Sequence, residues 1–243
     1  MTYSKRLLLI DREFWHEQRR FSLRQLREFG FGRRNMSTLI EEEVKELVDY
    51  IYDTIRSNDS VTFNMDTLFN IHVLNSIWKM LAGVRYNQED AKMKELQGIM
   101  SELFAAISMV GAPFSHFPIL KYLAPEISGY NLYVKTHLRI WDFLNRELEH
   151  HKKTHIPDEP RDFIDVYLNM INSSDKDTDG FTEQQLLAIC LDMFMAGSET
   201  TSHSLGFCFL YLILNPDVQR KAQVEIDAVI GKTGIPSLDD RPK

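Results

Sequence analysis

Cysteine is scarce in this chain, two residues in 243, and long apolar runs are missing. Cys190 and Cys208 both fall in one apolar segment with helical spacing, which argues against a disulfide framework and for packed thiols in a reducing compartment. No stretch reaches the roughly 18 uncharged apolar residues of a membrane-spanning helix. The apolar residues 7–10 meet charge too soon to form a signal peptide or anchor. Glycine (11) and proline (8) are few for the length, and apolar residues recur at helical rather than alternating spacing almost throughout. At 44% hydrophobic and 26% charged, the composition is that of a globular protein of one large domain or two small ones, all-α in class.

The formal net charge of −7 conceals an asymmetry. Residues 1–34 hold nine Lys or Arg against four Asp or Glu, a net of +5, so the remainder carries −12. The basic end suits either an acidic partner or a solvated amphipathic face. A negative balance without a recognition motif speaks against nucleic acid.

Periodicity predicts a helix over residues 12–29, broken at Gly30-Phe31-Gly32. A capping box of Thr38 and Glu41 then opens a helix whose stripe is Ile40, Val44, Leu47, Val48, Ile51 and Ile55. Further helices are expected over residues 66–81, 89–108, 127–153, 161–171 and 217–230. Residues 111–125, GAPFSHFPILKYLAP, carry three prolines and several aromatics. They read as an apolar loop with at most a short helix, of the kind that contacts ligand, lipid or a partner. The longest predicted helix opens at the capping box of Thr182 and Gln185, with Phe181 and Leu186 as a hydrophobic staple, and runs to Asn215-Pro216. Its roughly 33 residues span about 50 Å. Leu186, Leu187, Ile189, Leu191, Met193, Phe194 and Met195 cover every face, so burial on all sides is expected.

Several motifs compete for a chemical reading. DKDTDG at residues 175–180 supplies positions 1, 3, 5 and 6 of an EF-hand calcium loop, but position 12 is Leu186 where a bidentate Glu is needed. A solvated acidic loop is favoured, with a calcium-binding EF-hand-like helical module as the alternative. His151 and His155 have the spacing of two zinc ligands, but no Glu lies between them as in H-E-x-x-H and the setting is a charged helix end, so they read as solvated. Trp15 and Arg19 share a helix face, where an indole N–H and a guanidinium can both donate to one carboxylate or simply stack.

The segment Ala196-Gly197-Ser198-Glu199-Thr200-Thr201 is out of character for a buried helix. Ala196 and Gly197 leave room for a flat or diatomic ligand, and Glu199 with the Thr200 hydroxyl can form a proton relay beside that gap. The alternative is a helix-packing patch with hydroxyls bonded back to carbonyls.

AGSETT in a long helix, preceded by WHEQRRFSLRQLREFGFG and followed by NPDVQRKAQVEID, resembles the cytochrome P450 haem-thiolate monooxygenases, most closely the animal microsomal type. The likeness runs from about residue 7 to the end. It implies that residues 12–29 are helix C, with Trp15 and Arg19 on a haem propionate, that the long helix is a buried helix I crossing the haem, and that residues 217–230 are helix J. Glu199 and Thr200 are then the catalytic proton donors. Ala196 and Gly197 form the oxygen groove of the haem site, and Asp192, Met193, Phe114 and Phe117 border the substrate pocket. Neither cysteine sits in the family's F-x-x-G-x-R-x-C-x-G setting, and no E-x-x-R motif follows helix J. The resemblance therefore implies one partial domain over residues 1–243, helices C to J, without the β-rich and haem-cysteine regions. No metal ligand is expected within it: the axial cysteine, and with it any anchored iron, would lie outside. Such a chain would be inactive by itself. Its parent would oxidise a lipophilic small molecule, taking electrons from an NADPH-dependent reductase on the basic helix C face. That parent would sit on the cytosolic face of the endoplasmic reticulum membrane, held by an N-terminal anchor missing here and by the 111–125 loop. A non-catalytic helical interaction protein is the remaining alternative.

Overall fold

A computed structural model describes residues 12–87, 90–106, 111–157, 159–173, 180–232, 234–237 and 240. The described residues contain helices and no strand. The helices are α1 (Arg12–Glu28), α2 (Arg34–Arg56), α3 (Met65–Leu68), α4 (Asn70–Ala82), α5 (Ala91–Ala106), α6 (Pro113–His116), α7 (Leu120–Leu123), α8 (Tyr130–Thr154), α9 (Phe163–Asn172), α10 (Glu183–Leu214) and α11 (Pro216–Val229). None is long and apolar enough to cross a membrane.

Local chemistry explains most boundaries. Gly30 and Gly32 take positive φ, 104° and 66°, which a side chain would resist, and the Arg33 N–H donates to Gly30 O at 2.9 Å. This tight turn delivers the chain into α2 with Arg33 as its N-cap. Thr38 therefore lies inside α2, and the capping box expected there is not used. At α10 the Thr182 cap is used, with the Gln185 N–H donating to Thr182 Oγ1 at 3.1 Å, and both Phe181 and Leu186 are buried. Pro216 has no N–H to lose at the first position of α11, so it ends one helix and opens the next. Residues 111–125 hold two single-turn helices, α6 and α7.

The chain divides into two compact units. One comprises Met1–Trp15 and Tyr86–Met195. Its core is built from Met93, Leu96 and Ile99 of α5, Ile140, Phe143 and Leu148 of α8, Phe163 and Tyr167 of α9, and the start of α10. Helices α5 and α8 run antiparallel and are joined by Lys92–Glu147, Glu95–Arg146 and Glu102–Arg139 at 2.8, 2.9 and 2.6 Å. The other unit comprises His16–Arg85 and Ala196–Lys243. Leu68, Phe69, Ile71, Leu74, Trp78 and Leu81 form its core, and the carboxylate of Glu43 ties α2 to α4. Glu43 meets His72 Nδ1 at 3.0 Å and accepts from Asn75 Nδ2 at 3.3 Å and Arg85 Nε at 2.6 Å. Burial works to raise the Glu43 pKa, but these three partners outweigh it and hold the carboxyl below its ordinary value.

Helix α10 contributes to both units, and its burial changes along its length. Leu186, Ala188, Ile189, Cys190, Leu191 and Phe194 are at most 2% exposed, as the apolar pattern requires. Beyond that point Phe207, Tyr211, Ile213 and Leu214 are 61–65% exposed. Burial on all sides is thus correct for the first half and not for the second. An all-round apolar pattern states what a helix can bury, and in the second half burial is confined to part of the circumference, with Ser198 and Ser202 buried. Neighbours on that side include Ile77 beside Gly197, the Met65 carbonyl near Gly206, and Phe69, whose ring centroid lies 5.1 Å from that of Phe209.

Candidate functional site

Helix α10 carries the residues with chemistry in mind. Its regular turns put Ala196 and Thr200 on one stripe and Glu199 with His203 on the next. Ala196 and Thr200 are exposed, and Glu199 is half-buried. The Thr200 hydroxyl donates to Ala196 O at 2.7 Å, Ser202 to Ser198 O at 2.6 Å and Ser204 to Thr200 O at 2.7 Å. These are i to i−4 back-bonds, which let a hydroxyl sit in a helix without a free donor. Thr200 thereby keeps lone pairs open to accept while its own proton is held.

Gly197 is half-buried, and the room beside it is taken by a side chain of α4. A Cβ built there would overlap Ile77 Cδ1. The missing side chain at 197 thus lets α10 and α4 approach closely within their unit. Burial pushes the Glu199 pKa above its ordinary value, with the charge of His203 acting in the opposite sense. His203 Nε2 lies 3.3 Å from Glu199 Oε2. This histidine carries no weight in the motif reading, yet the i, i+4 spacing from Glu199 is visible in the sequence.

The other candidates are spread over the fold. Trp15 is half-buried and Arg19 exposed, one turn apart on α1. Asp192 is buried and Met193 half-buried, both on α10 before the unit boundary. Phe114 of α6 sets its ring 5.4 Å from Tyr130 and 5.3 Å from Tyr133 of α8, whereas Phe117 is 65% exposed. Cys190 is fully buried, and burial, helped by the charge of Asp162, pushes its thiol up to about 12, so it stays protonated at neutral pH. Cys208 is exposed on the second half of α10.

His151 corrects its solvated reading. It is 3% exposed, with Nδ1 donating to Glu147 O at 2.8 Å and Nε2 3.0 Å from Asp162 Oδ2. Both ring nitrogens face acceptors, which favours the imidazolium. Burial acts to lower its pKa, but the Asp162 hydrogen bond and charge and the Glu147 carbonyl prevail and raise it. Asp162 also caps α9 by accepting the Asp165 N–H at 2.9 Å, and Asp165 holds the Arg161 guanidinium with its Nε at 2.6 Å. His151, Asp162 and Asp165 bring three possible ligand atoms within 4.8 Å of one another. Those atoms are already engaged by hydrogen bonds and Arg161, so the cluster acts as an anchor between α8 and α9. The six residues of the EF-hand-like motif lie outside the described residues except for Gly180. Leu186, at the position where that loop needs a carboxylate, is 1% exposed in the first turn of α10.

The whole chain can be set beside known proteins. The family model described as cytochrome P450 matches residues 2–243. "Probable cytochrome P450 303a1" of Drosophila melanogaster is 44% identical over 100% of this chain and 49% of its own length. "Farnesoate epoxidase" of Bombyx mori is 33% identical over 99% of the chain and 48% of its own length. "Cytochrome P450 2J3" of Rattus norvegicus is 36% identical over 97% and 46%. The chain spans about half the length of these curated relatives.

Proposed function

Because the chain belongs to the cytochrome P450 family, we propose that it forms the central helical part of a single haem-monooxygenase domain, with α1 as helix C, α10 as helix I and α11 as helix J. The reaction takes a lipophilic substrate RH, O2, two electrons and two protons to ROH and water, with NADPH as the electron source through a reductase. A relative named for epoxidising farnesoate agrees with a lipophilic substrate. Haem, when bound, supplies the centre at which O2 is reduced and one oxygen atom is transferred. The donor set of the chain suits the periphery of that group. Trp15 and Arg19 offer two N–H donors to a propionate, and Ala196 offers a side chain no larger than a methyl toward the ring. Neither cysteine is disposed as a thiolate ligand, since Cys190 is held protonated by burial and Cys208 sits on the exposed half of α10.

The observation that carries the proposal is the adjacency of a half-buried carboxyl with raised pKa, Glu199, to an exposed hydroxyl, Thr200, beside Ala196. Glu199 holds a proton more readily than an exposed carboxylate does, and Thr200, whose own proton is held by Ala196 O, can accept a hydrogen bond from a proton-carrying group beside it. Together they would hold and pass protons beside the haem. Asp192, Met193, Phe114 and Phe117 border the substrate. The exposed Arg19, Arg20, Arg24 and Arg27 of α1 offer the reductase a basic face. Phe117, Ile119, Tyr122 and Leu123, exposed by 62–75% around α6 and α7, suit the surface of the endoplasmic reticulum membrane.

Thr200→Ala tests this reading in the haem-loaded, reductase-coupled protein. Haem content and substrate affinity should stay near the parent values. Product formed per electron pair should fall, with electrons appearing as hydrogen peroxide. General acid–base placement is typically worth about 10²- to 10⁴-fold, and water restores part of it at an open site. Thr201→Ala, about 100° further round the helix, should have a far smaller effect. Equal coupling of electrons to product in parent and both variants would remove the proton-delivery role and leave the Thr pair as helix packing.

A further inference from the structure

Glu199 has a neighbour whose chemistry matches the task proposed for it. One turn along α10, the His203 imidazole lies with Nε2 3.3 Å from Glu199 Oε2. The carboxylate side chain is 13% exposed and the imidazole 49%, so the histidine bridges solvent and a largely enclosed carboxyl. An i, i+4 pair on an open helix surface contributes a small local attraction and nothing more. Here one member is shielded, which strengthens the interaction.

The helices beside this part of α10 carry other titratable groups. Helix α4 reaches α10 through Ile77, and its titratable residues His72 and Lys79 are engaged by Glu43 and Glu42 of α2, at 3.0 and 3.1 Å. Helix α3, whose Met65 carbonyl lies near Gly206, has Asp66 as its titratable residue. On α10 itself, the upward effect of burial on the Glu199 pKa is opposed by the charge of His203.

We infer that His203 is a positioning residue for Glu199, holding the carboxylate by an ion pair and resupplying it with protons from solvent. The inference rests on the proton-delivery reading of Glu199 above. The step balances: the imidazolium gives the Nε2 proton to the carboxylate, leaving neutral imidazole and a carboxylic acid, and solvent returns one proton to the imidazole. No electron moves. Burial raises the Glu199 pKa, so its acid form is within easier reach than that of an exposed carboxylate.

The test compares the full chain with His203→Gln, a neutral side chain that still hydrogen-bonds, and His203→Lys, a fixed charge. The first readout is the carboxyl carbon NMR titration of Glu199, assigned with Glu199→Gln. Relative to the parent, the Gln variant should move the Glu199 midpoint upward, and the Lys variant should move it downward. The second readout is product per electron pair in the haem-loaded protein, which should fall in His203→Gln relative to the parent. A Glu199 titration identical in all three proteins overturns the inference whatever the coupling shows. A titration that depends on residue 203, joined to unaltered coupling in Glu199→Gln, supports His203 as the group that sets Glu199 ionisation and overturns the proton-delivery reading instead.

Discussion

His151 and His203 each face a carboxylate, at 3.0 and 3.3 Å, yet the first side chain is 3% exposed and the second 49%. Both nitrogens of His151 face acceptors, and its partner Asp162 simultaneously caps a helix. That pair cannot change its charge without undoing local structure. Glu199 and His203 sit on a single helix, so their separation leaves the helix itself intact. The difference teaches that the same two functional groups serve as a brace when buried between elements and as an adjustable couple when one of them reaches water.

Removing the partner from the buried pair should have the largest effect on stability. Asp162→Ala strands a buried imidazole and leaves the Asp165 N–H uncapped. Truncating one member of a buried ion pair costs about 3–5 kcal/mol, and loss of an N-cap about 1 kcal/mol by itself. Asp162→Asn keeps a capping oxygen and should lose less. Urea denaturation of the chain near neutral pH measures both, and equal stability of parent and Asp162→Ala would refute the brace.

The pH dependence of stability should be smaller and carry a sign for each group. The folded pKa of His151 lies above its ordinary value of 6.5, so its contribution is full below that value and is lost as pH rises through the folded one. Glu43 and Asp165 are held low, so their contributions are full above the ordinary carboxylate values and are lost as pH falls through the folded ones. For Asp165, burial acts upward and is outweighed by the Arg161 side chain and backbone N–H. Glu199, held high by burial, opposes them within the acid range. Stability should therefore decline on both sides of a mildly acidic plateau, and Asp162→Asn should flatten the alkaline decline selectively. Denaturation midpoints read across pH check this, and an alkaline limb unchanged in Asp162→Asn would assign it to another group.

The smallest effect belongs to the open pair. His203→Ala should change stability by no more than about 0.5 kcal/mol, because an i, i+4 pair is worth a few tenths and alanine is the better helix former. Thermal unfolding followed by circular dichroism reads this directly. A loss comparable to that of Asp162→Ala would make His203 a brace as well.

Local signals in the chain were sufficient for much of the architecture. Thr182 caps α10 by bonding a backbone N–H three residues away, and Pro216 opens α11 because its ring already has a helical φ, so both boundaries depend on near neighbours alone. The pairing of Glu199 with His203 follows from helix geometry in the same way, one turn apart beside the more distinctive AGSETT run. Thr38 shows the limit of such signals: a valid capping pattern was bypassed because two glycines turned the chain into α2 five residues earlier, with Arg33 at the N-cap.

The sequence by itself determined the helical class, most helix ends, the family and the residues that share a helix face, because these depend on contacts within a few residues or on order along the chain. Only the tertiary structure decided that His151 is buried, since the charged run HHKK looks solvated until Asp162 folds back onto it from the start of α9. It decided that Ile77 occupies the space beside Gly197 and that Glu43 gathers His72, Asn75 and Arg85, residues separated from it by 29 to 42 positions. It also gave one long helix a buried first half and a second half with large apolar side chains exposed. Burial is a property of what surrounds a side chain, and residues distant in sequence supply those surroundings.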